Sequence, residues 1–245
     1  MIPFSILAWS AWSPRIAERD TWRAWACDPE LPTGSGTPDV RFVPAMQRRR
    51  LSRLARMSMQ AALDTCEPAQ LQESGLVFAS RHGELNSSIA MLREIAADAP
   101  LSPTAFSHSV HNAPAGQISI QVGHRAPASS VSAQCATFTA GLIDALALSH
   151  RRRGAPVLLV AADEPLPDEF QVFADEPQVA HAIALLVSLD AGLGGAKLRL
   201  ASAPGEPESP RGLPEALSFL AWWLGSGEAW TSSDAASRWR LSREA

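Results

Sequence analysis

No excess of basic charge runs through this sequence: 21 Lys and Arg face 25 Asp and Glu, a formal net charge of -4 over 245 residues. The basic clusters are short, so the extended electrostatic footprint that nucleic-acid binding requires is missing, and nucleic acid is excluded as an expected partner. Cysteine is scarce as well. Cys27, Cys66 and Cys135 are odd in number and widely spaced, which fits neither a disulfide framework nor a paired Cys-x-x-Cys metal site. Long apolar runs are absent, none approaching the ~18 to 20 residues that span a bilayer. The apolar stretch from Ile2 to Trp12 lacks a basic leader and a small-residue cleavage site. A cytoplasmic protein in a reducing compartment is expected. Histidine is sparse too: the six are His82, His108, His111, His124, His150 and His181, with none after residue 200.

What is present is an alternation of short apolar runs with helical patterns. Residues 4–8 form an apolar run stopped at Ser13-Pro14, which reads as a buried first strand. Residues 28–44, with Pro29, Pro32, Gly34, Gly36, Pro38 and Pro44, read as a loop. Over residues 46–65, Leu51, Leu54, Ala55, Ala62 and Leu63 recur at helical spacing while Arg49, Arg53 and Arg56 take another face. Strands are expected over 76–80, 129–133 and 157–162, helices over 87–97, 112–122 and 136–149, and a strand pair over 182–189 and 197–201. That alternation predicts a mixed α/β sheet covered on both faces. A Pro/Glu/Ser/Gly segment at 204–214 reads as a linker, dividing residues 1–203 from a tail, 204–245, that is expected to be helical and holds Trp222, Trp223, Trp230 and Trp239.

The stretch richest in chemistry is SSVSAQCATFTA, residues 129–140, where a strand-like run delivers Cys135 to the start of a helix. A thiol there faces unpaired backbone N–H groups and the positive end of the helix dipole, both of which favour thiolate. The same residue also fits a buried structural cysteine. His108, His111 and Asn112 suggest a site, although Ser107, Ser109 and Asn112 are equally ordinary capping residues. No metal site is expected, because no Cys or carboxylate joins the histidines at convincing spacing. Arg49, Arg53 and Arg56 fit a docking face for an acidic carrier protein and fit a solvated helix face equally well.

Residues 102–141 resemble the segment of β-ketoacyl synthases that leads into their acyl-accepting cysteine. In the family's order come Asn112, the pair Ala115-Gly116, Gly123, Arg125 with Pro127, and Cys135. Residues 6–14 resemble the family's opening strand and Ser-Pro turn, and VLLVAADE, residues 157–164, its strand with a terminal acidic residue. Two positions depart from the pattern: Gln134 stands where a small residue usually precedes the cysteine, and Phe138 where space is usually left for the acyl chain.

The resemblance, covering about the first 200 residues, implies a thiolase-like fold, the N-terminal half of a ketosynthase with a Trp-rich extension. It also implies two catalytic histidines in a second half, which are not found here, so decarboxylative condensation by Cys135 alone is not expected. The implied role is a chain-length-factor subunit pairing with a full-length ketosynthase as a heterodimer, in an aryl polyene or xanthomonadin-type pathway. Thr104, Ala105, Phe106, Asn112 and Phe138 would line the interface or acyl tunnel. No cofactor of its own is expected, since acyl groups would arrive on the phosphopantetheine of an acyl carrier protein. Two other readings stay open: a cysteine acyltransferase or thioesterase in which His82, His108 or His111 serves Cys135, and a non-catalytic scaffold that binds a carrier protein.

Overall fold

The computed structural model describes residues 1–203, 212–232 and 238–244. In chain order the elements are β1 (Ile2–Trp12), α1 (Arg19–Trp25), α2 (Ala45–Arg48), α3 (Arg53–Thr65), α4 (Pro68–Glu73), β2 (Gly75–Ala79), α5 (Leu85–Ala96), α6 (Pro103–Ser107), α7 (Ala113–Val122) and β3 (Ala128–Val131). There follow α8 (Thr137–Arg151), β4 (Val157–Asp163), β5 (His181–Ser188), β6 (Ala196–Ser202), α9 (Glu215–Leu224), β7 (Ala229–Thr231) and β8 (Trp239–Arg243). The strands form one sheet in the order β3-β2-β4-β5-β1-β6-β8-β7. β3, β2 and β4 run parallel, and the pairs from β4 onward are antiparallel. Among the described residues no helix is long and apolar enough to cross a membrane.

The centre of the sheet is buried on both faces, so β2, β4 and β5 are nearly continuous apolar runs. Alternation sorts their side chains. Leu76 and Phe78 of β2 and Leu158 and Val160 of β4 pack with Leu54 and Met57 of α3 and Ile118 of α7. Val77, Ala79, Leu159 and Ala161 point the other way, into a cluster with Phe138 and Leu142 of α8 and Leu217 and Phe219 of α9. α8 lies close over the sheet because Gly141 has no side chain. A Cβ there would stand 2.7 Å from Ala79 Cβ and 3.0 Å from Leu159 Cδ1. Gly141→Ala is therefore expected to destabilise the protein by about 1–3 kcal/mol through overpacking, despite alanine's better helix propensity; urea unfolding that shows a gain in stability would contradict this packing.

Three expectations need correction. The helix expected over residues 46–65 is two helices, α2 and α3, because Ser52 starts α3 afresh, its Oγ accepting from Ala55 N at 2.9 Å. The strands near 182–189 and 197–201 both exist but do not pair with each other, since β1 lies between them. Among the described residues, the tail expected to be helical is helical only in α9; β8 then pairs with β6 and β7 with β8, extending the sheet. Most of the expected linker, residues 204–211, lies outside the described residues.

Candidate active site

Cys135 sits above the C-terminal ends of the parallel strands, where open α/β sheets place their ligands. A single 3-10 turn, Gln134–Ala136, joins β3 to α8 and carries it. Gln134 is left-handed, at φ 50°, a conformation unfavourable for a side chain of its kind. Thr137 fastens the turn: its Oγ1 donates to Gln134 O at 2.7 Å and accepts from Ala133 N at 2.9 Å.

The thiol is half-buried and borders a cavity of about 20 Å³ lined also by Arg81, Phe138, Asp163, His181 and Glu215. Such a volume holds about one water. Sites for organic ligands need roughly 300 Å³ or more. Asp163, at the end of β4, accepts at Oδ1 from Ser80 Oγ and Arg81 N, both at 2.9 Å. Burial nevertheless pushes its carboxyl up to about 7. Arg81 pairs with Asp175 at 2.6 Å and with Glu176 at 3.2 Å. Burial lowers the imidazole of His181, whose Nδ1 lies 2.9 Å from Val179 O.

The backbone donors expected to favour a thiolate are already taken. Glu215, the first residue of α9, reaches across to the start of α8: Oε2 accepts from Phe138 N at 3.1 Å and Thr139 N at 3.2 Å, and Oε1 from Thr139 Oγ1 at 2.7 Å. Burial pushes this carboxyl up to about 7 as well. Residues far apart in sequence thus close the site around the cysteine. Arg81, His181 and Glu215 had no local signal in the sequence; the acidic end of the buried 157–164 run was the one visible cue, pointing to Asp163.

The other expected site residues are dispersed. Phe138 is not part of an open tunnel. It is 3% exposed, in the chain's own core, 4.7 Å from the Phe219 ring and edge-on to Trp230 at 6.2 Å. Thr104 and Ala105, on α6, border a surface groove of about 500 Å³ with Arg50, Met91 and His108. Phe106 beside them is 68% exposed. Asn112 stands at the N-cap of α7, without a side-chain capping bond.

The basic face does not survive as a face. Arg49 lies exposed outside α3, whereas Arg53 donates to Gly36 O at 2.7 Å and Arg56 to Arg48 O at 2.7 Å, tying down a loop and the end of α2. His82, His108 and His111 do not line the cavity of Cys135. His108 Nδ1 instead lies 3.3 Å from Arg50 O, and His111 Nε2 2.7 Å from Ser80 O.

Comparison with known proteins agrees with this architecture. A chain of the ketosynthase ApeO in complex with its chain length factor ApeC, from Xenorhabdus doucetiae, is 28% identical, with a TM-score of 0.83 over 99% of this chain and 100% of that one. The ishigamide ketosynthase/chain length factor is 16% identical, with a TM-score of 0.63 over 82% of this chain and 68% of that one. A β-ketoacyl synthase from Burkholderia phymatum STM815 is 13% identical, with a TM-score of 0.60 over 91% and 70%. The last two likenesses show the fold alone. No curated protein matches. Residues 22–242 match the family model of the β-ketoacyl synthase N-terminal domain. With that match over most of its length, and a thiolase-like sheet delivering Cys135 to the start of α8, the chain belongs to the β-ketoacyl synthase N-terminal domain family.

Proposed function

We propose that the chain is a non-condensing subunit that pairs with a complete ketosynthase, as a chain length factor does, and shapes the acyl tunnel of that enzyme. The observation that carries this reading is the volume of the cavity at Cys135, about 20 Å³, too small for an acyl thioester. The likeness to a ketosynthase and chain length factor complex supports it.

So does the surface. β3 is an edge strand of the sheet, and the connection that leads to it from β2 exposes Leu92, Ile95, Leu101, Phe106, Val110 and Ile120. An unpaired edge beside exposed apolar side chains suits a protein partner. In this reading Phe106 and its neighbours Thr104 and Ala105 face the synthase, growing chains arrive on the phosphopantetheine of an acyl carrier protein, and the products are polyenes of the aryl polyene type. The wider resemblance of the sequence to short ketosynthase-like proteins supports that pathway.

The test is co-expression of the chain with a complete ketosynthase from the same genome, followed by capture through a tag on one of them. A stoichiometric heterodimer is expected. Phe106→Asp should weaken it by about tenfold or more, the loss typical of a central interface anchor. Cys135→Ala should leave product output unchanged. A stable monomer indifferent to the synthase would remove the partner reading, and output abolished by Cys135→Ala would favour a cysteine acyltransferase.

A further inference from the structure

Glu215 has an unusual position for a residue that starts a helix. Its carboxylate is turned away from solvent, is 7% exposed, and spends all three of its contacts on the first turn of α8. The groups around it make a costly setting for a negative charge. Glu176 adds like charge from the loop after β4, the carboxyl of Asp163 borders the same cavity, Arg81 is engaged with Asp175 and Glu176, and His181 is buried. A carboxylate held in such company is retained by what it binds, the positive end of α8.

We infer that Glu215 is an internal stopper of the Cys135 site: it occupies the helix donors beside the thiol, removes the field that would favour thiolate, and fills the space an incoming thioester would need. The inference rests on the non-condensing reading above and deepens it, because it names the residue that keeps the cysteine silent. Two physical effects act together. Donors already bonded to the carboxyl group cannot stabilise a second anion, and above about pH 7, where Glu215 is ionised, its negative charge disfavours deprotonation of the thiol. Phe138 completes the closure, since its ring is fixed against Phe219 and Trp230 of the same C-terminal segment that supplies Glu215.

The three cysteines supply their own controls. Cys27 is exposed and sets the rate of an open thiol. Cys66 is buried, its thiol pushed up to about 11 by burial, so it reacts only when the fold opens. The probe is iodoacetamide, which forms a sulfur–carbon bond as iodide leaves and the thiol proton passes to solvent, with each site followed by peptide mass spectrometry.

In the wild-type chain Cys135 should alkylate at least about tenfold more slowly than Cys27. Glu215→Ala should raise the Cys135 to Cys27 ratio by about tenfold while Cys66 stays protected. A ratio that moves less than about twofold with Cys66 protected overturns the role of Glu215, as does a wild-type Cys135 that reacts as fast as Cys27. Should the alanine variant expose Cys66, Glu215→Gln keeps the shape and removes the charge. Its expected rise is about threefold, and no rise there is equally fatal. Failure of synthase capture by the wild-type chain would sink the partner reading without touching this ratio, so the two failures are distinguishable.

Discussion

Phe219→Ala is expected to cost about 3–5 kcal/mol of stability, the largest single loss foreseen for this protein. Phe219 is fully buried and sits at the centre of an aromatic cluster. Its ring lies 4.7 Å from Phe138, 5.7 Å from Trp230 and 5.8 Å from Trp222, and is stacked on Trp223 at 6.2 Å. Truncation would leave a cavity among rings anchored in α8, α9 and β7, none of which can collapse without moving a backbone. For a chain of this size the melting temperature should fall by about 6–20 °C.

The contrast is Phe106→Ala, which removes an equally large side chain that is 68% exposed and should shift the isolated chain by no more than about 0.5 kcal/mol. Thermal and urea unfolding of both variants decide the matter. A Phe219→Ala variant within about 1 kcal/mol of wild type would mean that the C-terminal segment does not cover this face of the sheet in solution.

How the segment covers the sheet was only half visible in the sequence. The tryptophans announced burial, and three of them are buried: Trp222 at 8%, Trp223 at 9% and Trp230 at 2% exposure. What they could not announce is that the chain turns to strand after Leu224. In β8, WRLSR, only Leu241 is fully buried, so the alternation is too thin to read. The first strand was legible only in part for a different reason. β1 runs on past its opening apolar run through Ser10, a polar residue that stays inside the sheet because its Oγ donates to Ala61 O at 2.6 Å.

The parallel strands β2 and β4 were legible because both faces of the sheet are buried there and their runs are almost wholly apolar, and the helix starting beside Cys135 because small and apolar residues run through it. The closure of the site was not. Glu215 meets Thr139 across 76 positions of sequence. A Pro-Glu pair opening a helix looks like ordinary helix-start chemistry, satisfying its own first turn, and nothing local says that the carboxylate crosses to another helix. The break between α2 and α3 had a cue, Ser52, but the spacing of apolar residues alone runs through it.

Raising the pH from about 5.5 to 7.5 is expected to lower stability by on the order of 2 kcal/mol and the melting temperature by about 4–8 °C. Burial pushes the carboxyls of Asp163, Glu164 and Glu215 up to about 7, and raises Glu84 and Glu176 in the same direction. In the unfolded chain such groups titrate near about 4. The folded state therefore holds their protons more tightly. The stability this contributes is fully present below the unfolded value and is lost as pH rises through the folded value, each group by about 1.4 kcal/mol per pH unit between the two. His82 and His181 oppose the trend, since burial lowers both. Their contribution is present above about 6.5 and declines as pH falls. Three carboxyls at about 7 outnumber these two imidazoles below 6.5, and between there and neutrality the carboxyls act alone. Glu215→Gln removes one carboxyl while keeping its shape, so its profile should be flatter by about 1.4 kcal/mol per pH unit over that window. Melting curves that are level or rise from pH 5.5 to 7.5 would mean that these carboxyls are solvated, and the closed site around Cys135 would open with them.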